Sequence, residues 1–249
     1  MSLLAVPRRT RSKLNRPLWR MNARDSLYNQ LVEFWPMNEA AGKPAIGVLG
    51  HHLTDNNTVG SAAGVSAHTG NSRDFTAASN HYLSLANDKL GKISPVASDF
   101  TICGWYRHPA TADYHSILAI YTTSGNNREY ILRSGTSDFD LVWHYSEDGS
   151  VVTAFAGPDT STANTWVFFC VRYDHANMMI RTNDGADSTS SFTGDVYDGT
   201  GIFTMGGDNG GSDNSMNSRL GGVGFWSRAI TDAESLRLYN GGLGWSYPF

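Results

Sequence analysis

The sequence predicts an all-β fold: a two-sheet antiparallel sandwich with a short C-terminal helix and an extended basic N-terminal arm. Three observations favour this class. Short aromatic or β-branched runs recur along the chain, turn residues separate them, and strands do not alternate with helices. The 249 residues are long enough for one large β domain, and a hydrophobic fraction of 40% provides the material for its core.

The N-terminal segment carries a concentrated positive charge. Residues 1–24 have a net charge of +7, while the rest of the chain holds 12 basic and 23 acidic side chains, a net charge of −11. The basic residues of the arm are Arg8, Arg9, Arg11, Lys13, Arg16, Arg20 and Arg24. We expect the arm to dock on a protein partner in a larger particle. Nucleic acid is not the expected partner, because the arm has the single aromatic residue Trp19 and the acidic body repels phosphate.

The arm lacks the organisation of a secretory signal, since its apolar run ends at Val6 and the arginines follow that run. Its basic, acid-free composition leaves a transit peptide open as an alternative. No stretch approaches the roughly 18 consecutive apolar residues of a membrane span. We expect an arm and linker over residues 1–30 and one β domain over residues 31–249.

The elements follow from local signals in chain order. Asn22 or Asp25 can cap a helical turn before the chain enters the domain at Leu31. Apolar runs bounded by turn residues predict strands at residues 100–106, 130–133, 141–145, 166–173 and 178–181. Asp-Gly pairs at residues 148–149 and 184–185 indicate tight turns between antiparallel strands.

The C-terminal region contains the one predicted helix. Thr231 and Glu234 form a capping box, and the Asn-Gly-Gly sequence from Asn240 ends the helix. Cys103 and Cys170, the two cysteines, both lie in apolar strand-like runs. Buried free thiols are the main interpretation for them, and a single bridge between two strands is the alternative.

Six blocks of the sequence resemble, in order, the strands of laminin-G-like, concanavalin A-like lectin and glucanase domains. These are residues 35–42, 80–85, 100–105, 164–174, 203–207 and 221–242. The last block is the most specific, since it is similar to the family's closing strand, its short capped helix and its terminal glycine pair. The resemblance spans residues 31–249 and implies a jelly-roll arrangement of the two sheets.

Glycosidases of this fold need paired carboxylates that face one cleft from one strand. Asp138 and Asp140 have the spacing but lack a partner glutamate two residues further on. Glu147 and Asp148 are adjacent, so a strand would point them to opposite faces. We therefore expect a non-catalytic protein with no catalytic residue and no required cofactor.

Aromatic residues of the predicted strand at 141–145 are candidates for stacking on a sugar ring. Trp143 and Tyr145 share one face of that strand because side chains alternate. Tyr121 and Tyr130 are further candidates for such a platform. Core packing is the alternative for Trp143, because a sandwich of this size must fill its interior.

A glycine-rich loop provides the other ligand-binding candidates, Asp208, Asn209, Asp213 and Asn214. Their oxygen atoms are the ligand type that calcium prefers, which makes Asp208 and Asp213 the candidate metal ligands. The loop matches no EF-hand spacing, and Gly-Asn-Asp loops are also common connectors in β proteins. A plain connector is therefore the alternative.

Two functions fit these observations. The first is a structural or attachment protein of a larger assembly, such as a phage virion decoration or tail component on a virion or extracellular assembly surface. It would dock through the arm and display the sandwich. The alternative is a carbohydrate-binding, lectin-like module with calcium dependence. The sequence is compatible with a homo-oligomer in either case.

Overall fold

The structure, a computed structural model, describes residues 25–87, 91–94, 97–110, 112, 114–135, 139–158, 162–211, 213–245, 247 and 249. In these residues, fifteen strands form two antiparallel sheets. The strands are β1 Leu31–Trp35, β2 Thr54–Asn56, β3 Gly60–Ala63, β4 Asn71–Asp74, β5 Tyr82–Leu85, β6 Phe100–Arg107, β7 Ser116–Thr122, β8 Asn127–Ser134, β9 Leu141–Tyr145, β10 Thr153–Ala156, β11 Trp166–Tyr173, β12 Asn177–Thr182, β13 Ser188–Ser191, β14 Phe203–Met205 and β15 Arg219–Trp226. The predicted all-β sandwich is confirmed.

The eight-stranded sheet has the order β13-β12-β11-β6-β15-β4-β3, with β1 also paired to β15. The seven-stranded sheet has the order β10-β9-β8-β7-β14-β5-β2. The predicted strands at 141–145 and 166–173 match β9 and β11 at both ends. The two Asp-Gly turns lie between antiparallel pairs, β9 with β10 and β12 with β13, as the sequence predicts.

The main core lies between the two sheets. Phe100 of the eight-stranded sheet packs on Trp143 of the seven-stranded sheet, with ring centroids 6.0 Å apart. Trp35 stacks on Phe203 at 5.8 Å, and both side chains are fully buried. Large aromatic side chains contribute most of the apolar area that such an interior buries.

A second apolar cluster lies on the outer face of the eight-stranded sheet. Cys103 and Trp105 alternate along β6 with residues that face the main core, so they point outward. They pack under the helix α1, Asp232–Tyr239, where Leu238 completes the cluster. Trp226 is also buried there, and its indole N–H donates to the carbonyl of Leu27 at 2.7 Å.

The helix α1 begins at the predicted capping box. The Thr231 hydroxyl accepts from the backbone N–H of Glu234 at 3.3 Å, and the Glu234 carboxylate accepts from the N–H of Thr231 at 2.8 Å. Asn240 ends the helix in a left-handed conformation with φ of 50°. Among the residues that the structure describes, none of the helices is both long and apolar enough to cross a membrane.

Charged side chains fix the start of α1 to the sheet below. Arg172 of β11 donates to Asp232 at 2.7 Å and also pairs with Asp187. Arg181 of β12 pairs with the same two carboxylates, at 3.0 Å from Asp232 and 3.1 Å from Asp187. Each carboxylate therefore bridges two arginines, and the network links β11, β12 and α1.

The folded body begins before Leu31, the boundary that the sequence predicts. Asp25 caps a 3-10 turn, Ser26–Tyr28, and pairs with Arg237 of α1. Leu27 in that turn is fully buried in the second cluster. Residues 25–30 thus belong to the sandwich, while the seven basic residues of the arm lie outside the described residues.

Candidate functional site

The predicted aromatic platform on β9 is a core feature instead. Trp143 is fully buried and stacks on Tyr130 with ring centroids 5.1 Å apart. Tyr145 is 3% exposed and packs on Phe192 at 4.4 Å. The alternation was predicted correctly, but the shared face of Trp143 and Tyr145 is the one that points between the sheets. This corrects the sugar-platform interpretation of these two residues and of Tyr130.

The outer face of the seven-stranded sheet carries a different set of side chains. Tyr130 and Leu132 of β8 face the core, so Ile131 and Arg133 point outward. His144 of β9 is the register partner of Ile131 and shares this outer face. A buried arginine on the outer side of a sheet requires partners that hold it there.

Two tyrosines and one aspartate hold Arg133. Its guanidinium carbon lies 4.7 Å from the ring centroid of Tyr114 and 4.9 Å from that of Tyr121, within the range of cation–π contacts. It also donates to the Tyr114 hydroxyl, and its Nη2 atom lies 2.5 Å from a carboxylate oxygen of Asp208. Arg133 is 8% exposed and Asp208 1% exposed, whereas both tyrosines are only half-buried. We call the group of Tyr114, Tyr121, Arg133, His144 and Asp208 the Arg133 site.

The predicted ligand loop forms the wall of this site. The amide of Asn214 donates to the same Asp208 oxygen at 3.0 Å, and the amide of Asn209 donates to Asp213. The side-chain oxygen of Asn209 accepts from the backbone N–H of Thr123 at 2.8 Å, which joins the loop to the end of β7. The structure therefore brings the four predicted loop residues together at the Arg133 site.

Several buried polar atoms around Arg133 make no hydrogen bond within the described part of the chain. They are Asp208 Oδ1, Arg133 Nε, His144 Nε2 and the hydroxyl of Ser116, the register partner of Arg133. Buried polar groups without partners are uncommon in folded proteins and mark places that receive a polar group. Burial, and secondarily the nearby charge of Arg133, lowers the pKa of His144 to about 4, so its imidazole is neutral at pH 7.

A buried carboxyl group lies at one end of the same sheet. Glu129 of β8 is fully buried and accepts from the Ser94 hydroxyl at 2.8 Å and from the Gly199 N–H at 2.9 Å. Burial raises its pKa to about 8, although both hydrogen bonds act in the opposite direction. The carboxyl group is therefore largely protonated at neutral pH and acts as a neutral structural group.

The donor set at Asp208 and Asp213 does not fit a calcium centre as it stands. One Asp208 oxygen is paired with the guanidinium of Arg133, a positive charge where a cation would have to bind. Within the described residues, no group of three or more His, Cys, Asp or Glu side chains could hold a metal ion. Calcium prefers six to eight oxygen ligands. Calcium dependence stays a prediction that needs a direct titration.

Of the carboxylates considered for catalysis, the structure describes Asp140, Glu147 and Asp148. Asp138 lies outside the described residues. Asp148 accepts from the backbone N–H groups of Ser150 and Val151, both at 2.8 Å, and these bonds lower its pKa to about 2. It therefore stabilises the predicted turn after β9.

Sequence reasoning missed Arg133 and Tyr114. The sequence did contain an indication for Arg133, because a charged residue at the outward position of an apolar strand implies a partner on the outer face of the sheet. Tyr114 had none, since it precedes β7 in a segment without periodicity, and only the fold brings it to Arg133.

A family model described as the concanavalin A-like lectin/glucanases superfamily, of the laminin G type, matches residues 75–234. The match runs from Phe75, directly after β4, to the first turn of α1, and it includes every residue of the Arg133 site. No curated protein sequence matches the chain.

Solved structures resemble the fold at low sequence identity. The binding domain of Paraclostridial Mosquitocidal Protein 1 aligns with a TM-score of 0.65 and 16% identity, over 85% of this chain and 52% of that one. The binding domain of botulinum neurotoxin DC, in complex with rat synaptotagmin II, aligns with a TM-score of 0.57 and 12% identity, over 88% and 52%. A third structure is described by the statement that cell entry of botulinum neurotoxin type C depends on interaction with two ganglioside molecules. It aligns with a TM-score of 0.60 and 12% identity, over 86% of this chain and 51% of that one. The chain thus spans about half the length of these structures, and the likeness concerns the fold.

Proposed function

The chain belongs to the concanavalin A-like lectin/glucanases superfamily, and we propose that it is a non-catalytic, lectin-like protein that binds a glycan at the Arg133 site. One observation carries the proposal. Arg133 lies against two half-buried tyrosine rings and is anchored on the buried carboxylate of Asp208. Such an arrangement fixes the ring orientations before any ligand arrives, which reduces the entropy lost on binding.

The chemistry of the site suits a sugar. A pyranose presents an apolar face, which aromatic rings accept, and hydroxyl groups, which both donate and accept hydrogen bonds. Tyr114 and Tyr121 supply the rings, and the half-buried amides of Asn209 and Asn214 supply polar groups at the rim. Because Arg133 is already paired with Asp208, we propose an uncharged sugar as the ligand rather than an anionic one.

The descriptions of the structural relatives support binding rather than catalysis. The first two are described as binding domains, one of them in complex with a protein receptor, and the third concerns ganglioside interaction. These properties belong to those proteins, and they motivate the glycan screen of this one.

The test is a glycan array of the intact chain, followed by calorimetry with the best ligand. We expect Tyr114→Ala and Tyr121→Ala each to weaken binding roughly tenfold or more, a loss of about 1.4 kcal/mol or more. Trp245→Ala is the matched control, because this ring is 39% exposed on the opposite side of the sandwich, near α1. The proposal is wrong if the array is silent both with calcium and with a chelator, or if the control weakens binding as much as the site variants do.

A second function concerns the arm. We propose that the +7 segment attaches the sandwich to a larger assembly, with a phage virion decoration or tail component as the best candidate. The charge difference between residues 1–24 and the acidic remainder supports this attachment. Size analysis of the full chain and of a variant that begins at Asp25, each in its native source, tests it. Equal incorporation of both into a particle would refute docking through the arm.

A further inference from the structure

Cys103 and Cys170 lie opposite one another on neighbouring strands. They are register partners of β6 and β11, and both are free thiols. Their sulfur atoms are 2.6 Å apart, whereas a disulfide bond is about 2.05 Å long. A shift of roughly half an ångström would bring the sulfurs to bonding distance.

The surroundings of the pair favour sulfur chemistry. Burial disfavours charge on Cys170, but the hydrogen bond from Cys103 and the charge of Arg172 outweigh it and lower the pKa of Cys170. Burial raises the pKa of Cys103 well above its usual range, so Cys103 remains the thiol that donates. A thiol whose pKa is lowered, held against a second thiol at contact distance, is an arrangement from which disulfides form.

A small cavity lies against Cys103, one member of the pair. Cys103 lines this cavity together with Leu238 of α1 and with Trp245, which is partly exposed. Cys170 itself is fully buried. The cavity is lined mainly by apolar side chains, so it admits a small uncharged molecule more readily than a charged one.

We propose that Cys103 and Cys170 form a covalent modification site at which a small peroxide closes a cross-strand disulfide beneath α1. With hydrogen peroxide as the oxidant, two S–H bonds are replaced by one S–S bond. The two hydrogens and two electrons pass to the peroxide, whose O–O bond breaks to give two water molecules. The product ties β6 to β11 across 67 residues of chain. It stabilises the fold because the unfolded chain loses conformational freedom.

Peptide mapping of the intact protein tests this directly. The native chain is exposed to hydrogen peroxide and then unfolded in iodoacetamide without reductant. It is digested, and the peptides are identified by mass spectrometry. We expect a cross-linked peptide pair that contains Cys103 and Cys170, no alkylation of either residue, and a Tm above that of the reduced chain. Dithiothreitol should reverse all three results.

Cys103→Ala and Cys170→Ala are the matched controls, since alanine keeps a small apolar group at each buried position. In each variant the remaining cysteine should stay open to alkylation and the Tm should not rise with peroxide. Alkylation of both thiols in the peroxide-treated native chain would refute the site, as would bridges formed between two chains. The mapping of the native chain decides the question even if a variant fails to fold.

Discussion

The two outer faces of the sandwich are built from different chemistry. The outer face of the eight-stranded sheet is covered by α1 and largely apolar there, with Trp105 and Trp226 in its apolar cluster, and its arginines Arg172 and Arg181 are paired with carboxylates. The outer face of the seven-stranded sheet holds Arg133, His144 and half-buried tyrosines. A sandwich needs one buried face from each sheet for its core. The first outer face adds further apolar burial to the fold, whereas the second keeps polar groups in fixed positions, as the proposed glycan binding requires.

The buried arginines sharpen this contrast. Arg172, on the covered face, shares its two carboxylates with Arg181, and one of them, Asp232, is 63% exposed. Among the described residues, Arg133 is the one cationic side chain paired with Asp208, which is buried. The covered face therefore has two arginines that can neutralise the same two carboxylates, whereas the carboxylate of the Arg133 site is paired with one arginine.

The largest expected effect is on the covered face. Trp226→Ala removes a fully buried indole and its hydrogen bond to Leu27. We expect the free energy of unfolding to fall by about 3–5 kcal/mol, measured by urea denaturation. The molecules that remain folded should bind glycan as the native chain does. A loss of affinity in that folded fraction would show that the two faces are coupled.

Replacing each arginine by methionine compares the two ion-pair arrangements. Arg133→Met leaves the buried Asp208 carboxylate without its cation, so we expect a loss of about 3 kcal/mol. Arg172→Met leaves Arg181 to neutralise the same carboxylates, so we expect about 1 kcal/mol. Denaturation at pH 7 measures both. Equal losses would contradict the redundancy that the geometry indicates.

Glu129 gives a pH-dependent prediction for the seven-stranded sheet. Its pKa is raised in the folded state, so its stabilising contribution is complete below the unfolded pKa of 4.5 and is lost as the pH rises through about 8. We expect native stability to fall by about 4–5 kcal/mol from this group over that window, at about 1.4 kcal/mol per pKa unit. Glu129→Gln should remove this slope, because the amide stays neutral while it keeps partners at Ser94 and Gly199. Parallel slopes in thermal melts of the two proteins would contradict the assignment.

The smallest effects come from two asparagines in left-handed backbone. Asn240 ends α1 with φ of 50°, and Asn214 lies in the wall of the Arg133 site with φ of 46°. Glycine accepts both conformations, so each change to glycine should alter stability by no more than about 0.5 kcal/mol. We expect only Asn214→Gly to weaken glycan binding, because it loses the amide that contacts Asp208. Calorimetry on both variants checks this.

The sequence predicted the parts of the fold that depend on local pattern. The strands β9 and β11 and the capping box of α1 have apolar runs or capping residues that define them. The strands β3 and β13 were missed, because they consist of glycine, alanine, serine and threonine and carry no apolar alternation. For Trp143, the alternation of side chains predicts correctly which residues share its face of the strand. It does not predict whether that face points to the core or to the outer side of the sheet. That side depends on which sheet packs opposite.

The candidate site was predicted only in part, because local sequence patterns indicate its loop but not the partner of that loop. The loop at 208–214 was recognisable because its composition differs from that of the strands around it. Its partner Arg133 is 75 residues earlier in the chain. No local signal connects positions that far apart, and only the register of β7, β8 and β14 brings them together.

The contacts at the two described ends of the chain have a practical consequence. Tyr28 packs on Tyr247 and Phe249 with ring centroids 5.8 and 5.7 Å apart, and Asp25 pairs with Arg237. Both ends therefore meet beside α1, on the side of the sandwich that faces away from Arg133. A fluorophore, a bead or a fusion partner joined at the C-terminal end, or at Asp25 in the variant that begins there, would sit at the back of the molecule. Coupled in that way to a sensor chip, every copy would turn its tyrosine-flanked arginine toward the flowing solution.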